Sequence, residues 1–266
     1  NTSETLKQSS KILILYTLLT FFIFVILKIF DLRSLDSFNL AMTLISSGGF
    51  IPVNNLSSII NTNTKEIVFS LTMLVSFFSI FLSYNLFFLR NKNISFFQED
   101  ILLLIYFLTL LIFFYLLFNF DYNFSVILLS LVSSISNIGI SLDQSPKNLS
   151  FIFLILIIIG GSFFSTSSGI RLLKLYALFK FAINNLISHV KPKNIFLNKH
   201  FFLNINFEKD EISRYFLSVL IFIISLFILA SFLTISGISL ESAFKLSILT
   251  LMNTVNSSMH GLSDFN

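Results

Sequence analysis

Seven of the eight glycines in this chain, Gly48, Gly49, Gly139, Gly160, Gly161, Gly169 and Gly261, lie in or beside Ser/Thr/Asn patches that interrupt strongly apolar sequence. Only Gly237 reads as ordinary loop. Irregular backbone between apolar segments persists at membrane depth only where protein or a water-filled cavity satisfies its N–H and C=O groups. The placement therefore predicts a pore lined by main-chain atoms.

The surrounding composition requires a membrane. The 266 residues are 55% hydrophobic and 11% charged, with mean hydropathy +0.89, whereas soluble domains carry roughly a quarter charged residues. Residues 12–30, 67–89, 101–118 and 215–235 approach or exceed the roughly 20 residues that cross a hydrocarbon core, and a fifth run, 149–187, is interrupted. The expectation is an integral, multi-pass protein whose immediate partner is the lipid bilayer. The absence of cysteine excludes disulfides and thiolate chemistry. The net charge of +4 comes mainly from Lys and Arg flanking the apolar runs and does not indicate nucleic-acid binding. Asn1 and the lack of a signal-peptide layout before the first run read as a piece of something longer.

Shorter segments between the long runs share an order. In SLDSFNLAMTLISSGGF, residues 34–50, Asp36 or Ser37 is positioned to cap a helix with the apolar face Phe38, Leu40, Ala41, Leu44 and Ile45. About a dozen residues are too few to span a bilayer, so this predicts a re-entrant helix, with Ser46 to Gly49 as the returning strand. The order recurs as a short helix from Asp121 to Val132 before SSISNIGIS. It recurs again as a helix opened by Ser239 and Glu241, running through Met252 before NTVNSSMHGL. Spanning helix, short helix and glycine-bearing loop thus form an internal repeat.

Lys and Arg set the orientation. Residues 1–11, 90–100 and 171–214 hold Lys7, Lys11, Arg90, Lys92, Arg171, Lys174, Lys180, Lys191, Lys193, Lys199, Lys209 and Arg214. The re-entrant side holds Lys28, Arg33, Lys65, Lys147 and Lys245. The loops are expected to enter from outside, with the long basic segment cytoplasmic.

A short helix pointing inward aims its C-terminal carbonyls, about half a negative charge, at the membrane centre and favours a cation there. Glycine admits positive φ, so carbonyls of the following strand can face a common axis, where rings of carbonyls replace the hydration shell of a monovalent cation. The loops contain no Asp or Glu that would form a calcium-type ring. A single Ser-Gly-Gly would fit a tight turn or close helix packing equally well; three occurrences in phase favour the pore. The interrupted run, apolar to Ile159 and broken across Gly160 to Gly169, reads as a flexible barrier beneath the loops. The plainer alternative is a helix end followed by an interfacial basic helix over 170–187.

IGGSFFSTSSGIRLLKLYALFK, residues 159–180, resembles the broken helix of the TrkH/TrkG/KtrB superfamily of potassium uptake proteins, and SSGGF resembles that family's second-repeat filter. The resemblance covers nearly the whole chain. It implies an all-α polytopic membrane protein of repeated helix, pore-loop, helix units around a pseudo-fourfold pore, in a bacterial inner membrane. It also implies a homodimer with cytoplasmic nucleotide-binding regulatory subunits, carrying potassium, or sodium, as transported ion and no cofactor. Mapped by the family's order, residues 1–100 hold its second repeat, 101–213 its third with the broken helix and basic segment, and 214–266 an incomplete fourth.

The resemblance assigns the filter to Ser46, Ser47, Gly48, Gly49 and Phe50, to Ser136, Asn137, Ile138 and Gly139, and to Asn256, Ser257, Ser258 and Met259. The gate loop is Gly160, Gly161, Ser162, Ser165, Thr166, Ser167, Ser168 and Gly169. Aligning NSSMHGL with the family pattern puts Met259 where glycine is expected, and Gly261 follows two residues later. His189 and His200 read as solvated residues of the basic segment. His260, without a clustered carboxylate or second His, is a poor metal ligand. No set of nucleophile, base and orienting group occurs, so no enzyme activity is expected. Two rivals are a secondary transporter of a small solute, which would need charge at the midplane, and a non-transporting relic or assembly subunit.

Overall fold

A computed structural model describes residues 2–53, 56–78, 94–118, 121–142, 145, 150–163, 165–190, 207, 209–254, 260 and 262. Among them, three helices contain windows long and apolar enough to cross a membrane: α1 (Thr2–Ile29), α4 (Ile94–Phe118) and α8 (Lys209–Ile235). Only 17%, 17% and 11% of these windows are buried within the chain, so most of their apolar surface faces outward, as lipid contact requires. Phe21, Leu116 and Phe232 are examples. Several Ser and Thr hydroxyls on these helices bond back within the helix: Thr20 Oγ1 donates to the Tyr16 carbonyl at 2.8 Å and Thr234 Oγ1 to the Ala230 carbonyl at 2.8 Å.

Each of the three is followed by a short helix: α2 (Ser34–Ser46) after α1, α5 (Phe124–Ile135) after α4, and α9 (Leu240–Leu251) after α8. The first two begin at residues other than those expected. Helix α2 starts at Ser34 with Arg33 as N-cap and no side-chain cap bond, so neither Asp36 nor Ser37 caps it. Asp36 instead lies in the first turn, where a carboxylate complements the helix dipole, 3.9 Å from Arg33 Nε. Helix α5 runs from Phe124 to Ile135 behind Asn123, three residues beyond the expected Asp121–Val132 at each end. For α9 the cap is Ser239, as expected, its Oγ accepting from Ser242 N–H at 3.4 Å.

Helix α3 (Asn63–Phe77), capped by Thr62, runs back alongside α2 and α5. Helix α6 (Ser150–Ile158) packs between α5 and α9. It ends in a two-residue strand, β1 (Ile159–Gly160), paired in parallel with β2 (Ile170–Arg171), after which α7 (Leu172–Val190) resumes. The break expected across 160–169 is thus present as a loop closed at its base by strand pairing.

The core lies around the short helices. Every residue of α5 from Ser125 to Ile135 is buried, and Leu40, Leu44, Phe69, Met73, Phe77, Leu129, Ile135 and Phe153 form one apolar cluster with it. A second cluster joins Leu154 and Ile157 of α6 to Leu226 of α8 and Ile248, Leu249 and Met252. The protein itself encloses the end of α5, whereas Ser46 and Phe50 after α2 and Asn253 after α9 stay exposed; enclosure by protein is one of the two conditions under which irregular backbone persists at membrane depth.

Candidate functional site

The three short helices stop in the same way. Each ends in a left-handed residue, Ser47 (φ 51°), Asn137 (φ 59°) or Asn253 (φ 51°). The following N–H reaches back five residues: Gly48 to Thr43 O at 2.9 Å, Ile138 to Ser133 O at 3.1 Å, and Thr254 to Leu249 O at 2.9 Å. This is the Schellman arrangement, which turns the chain sharply off the helix axis. The N-caps also agree, with φ/ψ of −61°/143° at Arg33, −66°/144° at Asn123 and −57°/143° at Ser239. The same fourteen positions separate Arg33 from Ser47, Asn123 from Asn137 and Ser239 from Asn253. The repeat read from sequence is therefore also a repeat of backbone geometry.

Two residues beyond the turn stand Gly49 (φ 70°) and Gly139 (φ 77°). Among the described residues no main-chain hydrogen bond ends on the carbonyls of Gly48, Gly49 or Gly139. Hydroxyls of the short helices pin the segment that follows each turn: Phe50 N–H donates to Thr43 Oγ1 at 2.8 Å, and Ser133 Oγ donates to Ile140 O at 2.5 Å. Thr43 and Ser133 occupy equivalent positions, and the third unit has Leu249 there, which offers no hydroxyl. Thr43→Val and Ser133→Ala are each expected to destabilise the protein by about 1–2 kcal/mol, read as a lowered unfolding midpoint in detergent. An unchanged midpoint in both would remove this pinning.

The broken-helix loop lies against the ends of these turns. Thr166 Oγ1 meets Ser47 Oγ at 3.3 Å, and Ser168 Oγ bonds the Met252 carbonyl at the C-cap of α9. Ser162 N–H donates to Phe77 O at 3.0 Å and Ser167 N–H to Ser76 O at 3.2 Å, at the end of α3. Within the loop, Gly161 N–H donates to Ser167 Oγ at 3.0 Å and Ser165 Oγ to Ser162 O at 2.8 Å. One ten-residue segment thus touches the first and third re-entrant turns at once.

No protein-family model matches the chain, and no curated protein matches it. Among solved structures it is similar to the crystal structure of the potassium transporter TrkH from Vibrio parahaemolyticus, with TM-score 0.79, 16% identity and 93% of this chain covered. The chain has the TrkH fold. It spans 55% of the length of that TrkH chain.

Within this TrkH-fold frame, Ser46 to Phe50 and Ser136 to Gly139 occupy matching re-entrant turns, and Gly160 to Gly169 form the loop between them and α7. Asn256, Ser257, Ser258 and Met259 lie outside the described residues, as do Gly261 and His200. Counted along the chain from Asn253, the position that matches Gly49 and Gly139 is Val255, four residues before Met259. His189 belongs to α7. His260 is buried, and burial, with the charge of Lys245 adding, pushes its imidazole down to about 4, leaving it neutral. Among the described residues no group of three His, Asp or Glu could hold a metal ion.

Sequence reasoning missed Glu99 and assigned Arg171 only to the basic flank. Glu99 is 5% exposed and its Oε1 accepts the Phe163 N–H at 2.7 Å. Arg171 Nη1 donates to Ser165 Oγ at 2.8 Å and to Ser167 O at 2.6 Å. An acidic pair directly ahead of an apolar run, Glu99 and Asp100 before residues 101–118, was the available signal.

Proposed function

We propose that this chain is the greater part of a potassium uptake pathway, with main-chain carbonyls of the re-entrant turns replacing the hydration shell of the ion and the 160–169 loop obstructing the path beneath them. The observation that carries the reading is the loop's simultaneous contact with two re-entrant turns, through Thr166 to Ser47 and Ser168 to Met252. Likeness in fold to a potassium transporter supports the choice of ion and of a transporter over an enzyme. The carbonyls of Gly48, Gly49 and Gly139, on which no main-chain hydrogen bond from a described residue ends, follow the partially negative C-terminal ends of α2 and α5, a favourable setting for a dehydrated monovalent cation.

A membrane potential of 100 mV contributes about 2.3 kcal/mol per monovalent charge, enough for accumulation without ATP hydrolysis by this chain. The repeats would divide near residues 100 and 213. The working protein would be a homodimer in a bacterial inner membrane, controlled by a cytoplasmic nucleotide-binding subunit. The test is potassium-limited growth of cells lacking their own uptake systems, complemented with the full-length gene. Growth at low potassium is expected; expression in the membrane without rescue would leave the relic or assembly-subunit reading in its place.

A further inference from the structure

A carboxylate that is 5% exposed at the mouth of an apolar helix needs strong partners, because an unpaired buried charge is costly. Glu99 finds one in the loop. Its 2.7 Å contact with Phe163 N–H has the length of a charge-assisted hydrogen bond. On the other side of the same loop, the Arg171 guanidinium holds the Ser165 hydroxyl and the Ser167 carbonyl. The two charges also attract one another across the segment. Glu99 belongs to α4, whereas Arg171 belongs to β2, the strand that closes the loop at its base. Among the described residues, the loop's hydrogen bonds to Ser47, Ser76, Phe77 and Met252 are neutral, and Lys174 of α7 lies 5.9 Å from the Phe163 ring centroid. Opposite charges from different elements therefore grip one obstructing segment, and only the Glu99 grip is remote in sequence from the loop.

We infer that Glu99 is a latch, a positioning residue that holds the 160–169 loop across the path, so that release of its carboxylate from Phe163 is a step in opening. This rests on the pore reading above, yet loop position can be measured without transport. These 266 residues contain no cysteine, so Thr166→Cys places one thiol in the loop, and its labelling in the complete protein is read against the same protein without that substitution. Its modification by a membrane-impermeant alkylthiosulfonate, applied from the side bearing Lys174 and Lys180, reports how often the loop leaves its seat. Adding Glu99→Ala is expected to raise the rate by about ten- to a hundredfold, the population change that loss of one charged hydrogen bond produces. Glu99→Gln keeps an accepting oxygen without the charge and is expected to give a smaller rise.

A second reporter, Ser37→Cys, lies at a fully buried position of α2 and reads general loosening. If Glu99→Ala exposes that site too, the isosteric Glu99→Gln decides: a raised rate at 166 with a silent 37 upholds the latch. A native rate at 166 in the folded variants overturns it. Rubidium flux measured on the same variants separates the two readings. Faster modification with unaltered flux keeps the latch and rejects the loop as a barrier to ions.

Discussion

In the complete protein, Gly139→Val is expected to lower the ratio of rubidium to sodium uptake at least about tenfold, equivalent to about 1.4 kcal/mol of lost discrimination. Gly139 sits at φ 77°, a region in which a β-branched residue is an outlier and a strained residue costs on the order of 1–3 kcal/mol. The peptide can relieve that strain by rotating, which turns its carbonyl away from the direction the turn imposes. A site that depends on several oxygens at once then loses one ligand. Gly49, at φ 70° on the matching turn, is expected to respond in the same direction. An unchanged uptake ratio in both variants would defeat the assignment of these turns as the selecting element.

Gly160→Ala and Gly161→Ala are expected to be strongly destabilising. A Cβ on Gly160 would lie 2.0 Å from the Ser168 carbonyl oxygen, and one on Gly161 would lie 2.2 Å from the Phe77 oxygen. Both obstacles are backbone atoms, so the strand pairing at the loop's base or the seat on α3 must move. Overpacking of this kind costs about 1–3 kcal/mol, occasionally more. Gly237 provides the comparison, because nothing lies within 4 Å of an added Cβ there, although its φ of 96°, unlike the φ of Gly160 and Gly161, is itself unsuited to alanine. Thermal unfolding in detergent should therefore rank Gly160→Ala and Gly161→Ala well below Gly237→Ala. Equal midpoints would show that the close approach of the loop to α3 does not contribute to stability.

Features set by local chemistry were legible in the sequence. Hydropathy over about 20 residues identifies a spanning helix wherever its neighbours sit, and α1, α4 and α8 follow the runs read at 12–30, 101–118 and 215–235. The break at Gly160 to Gly169 was visible because polar residues inside an apolar run are costly in a bilayer unless protein or a cavity surrounds them. Helix starts were less legible. Arg33 and Asn123 take cap geometry without making a side-chain cap bond, so the Asp and Ser chemistry that signals a cap pointed to later or earlier residues. The common register of the three turns emerged only from their hydrogen bonds, since Ser47, Asn137 and Asn253 share a conformation but not a residue type.

By itself, the sequence determined that this protein resides in a membrane, that a long apolar helix followed by a short one recurs along its chain, and that one helix is broken. Each of these depends on side-chain polarity and backbone freedom within a few turns of chain. Only the tertiary structure decided what the broken segment touches. Ser47, Ser76, Phe77, Glu99 and Met252 lie far from the loop in sequence and bind it largely through main-chain atoms. Carbonyls and N–H groups are the same in every residue, so no pattern of residue types reveals which of them will meet.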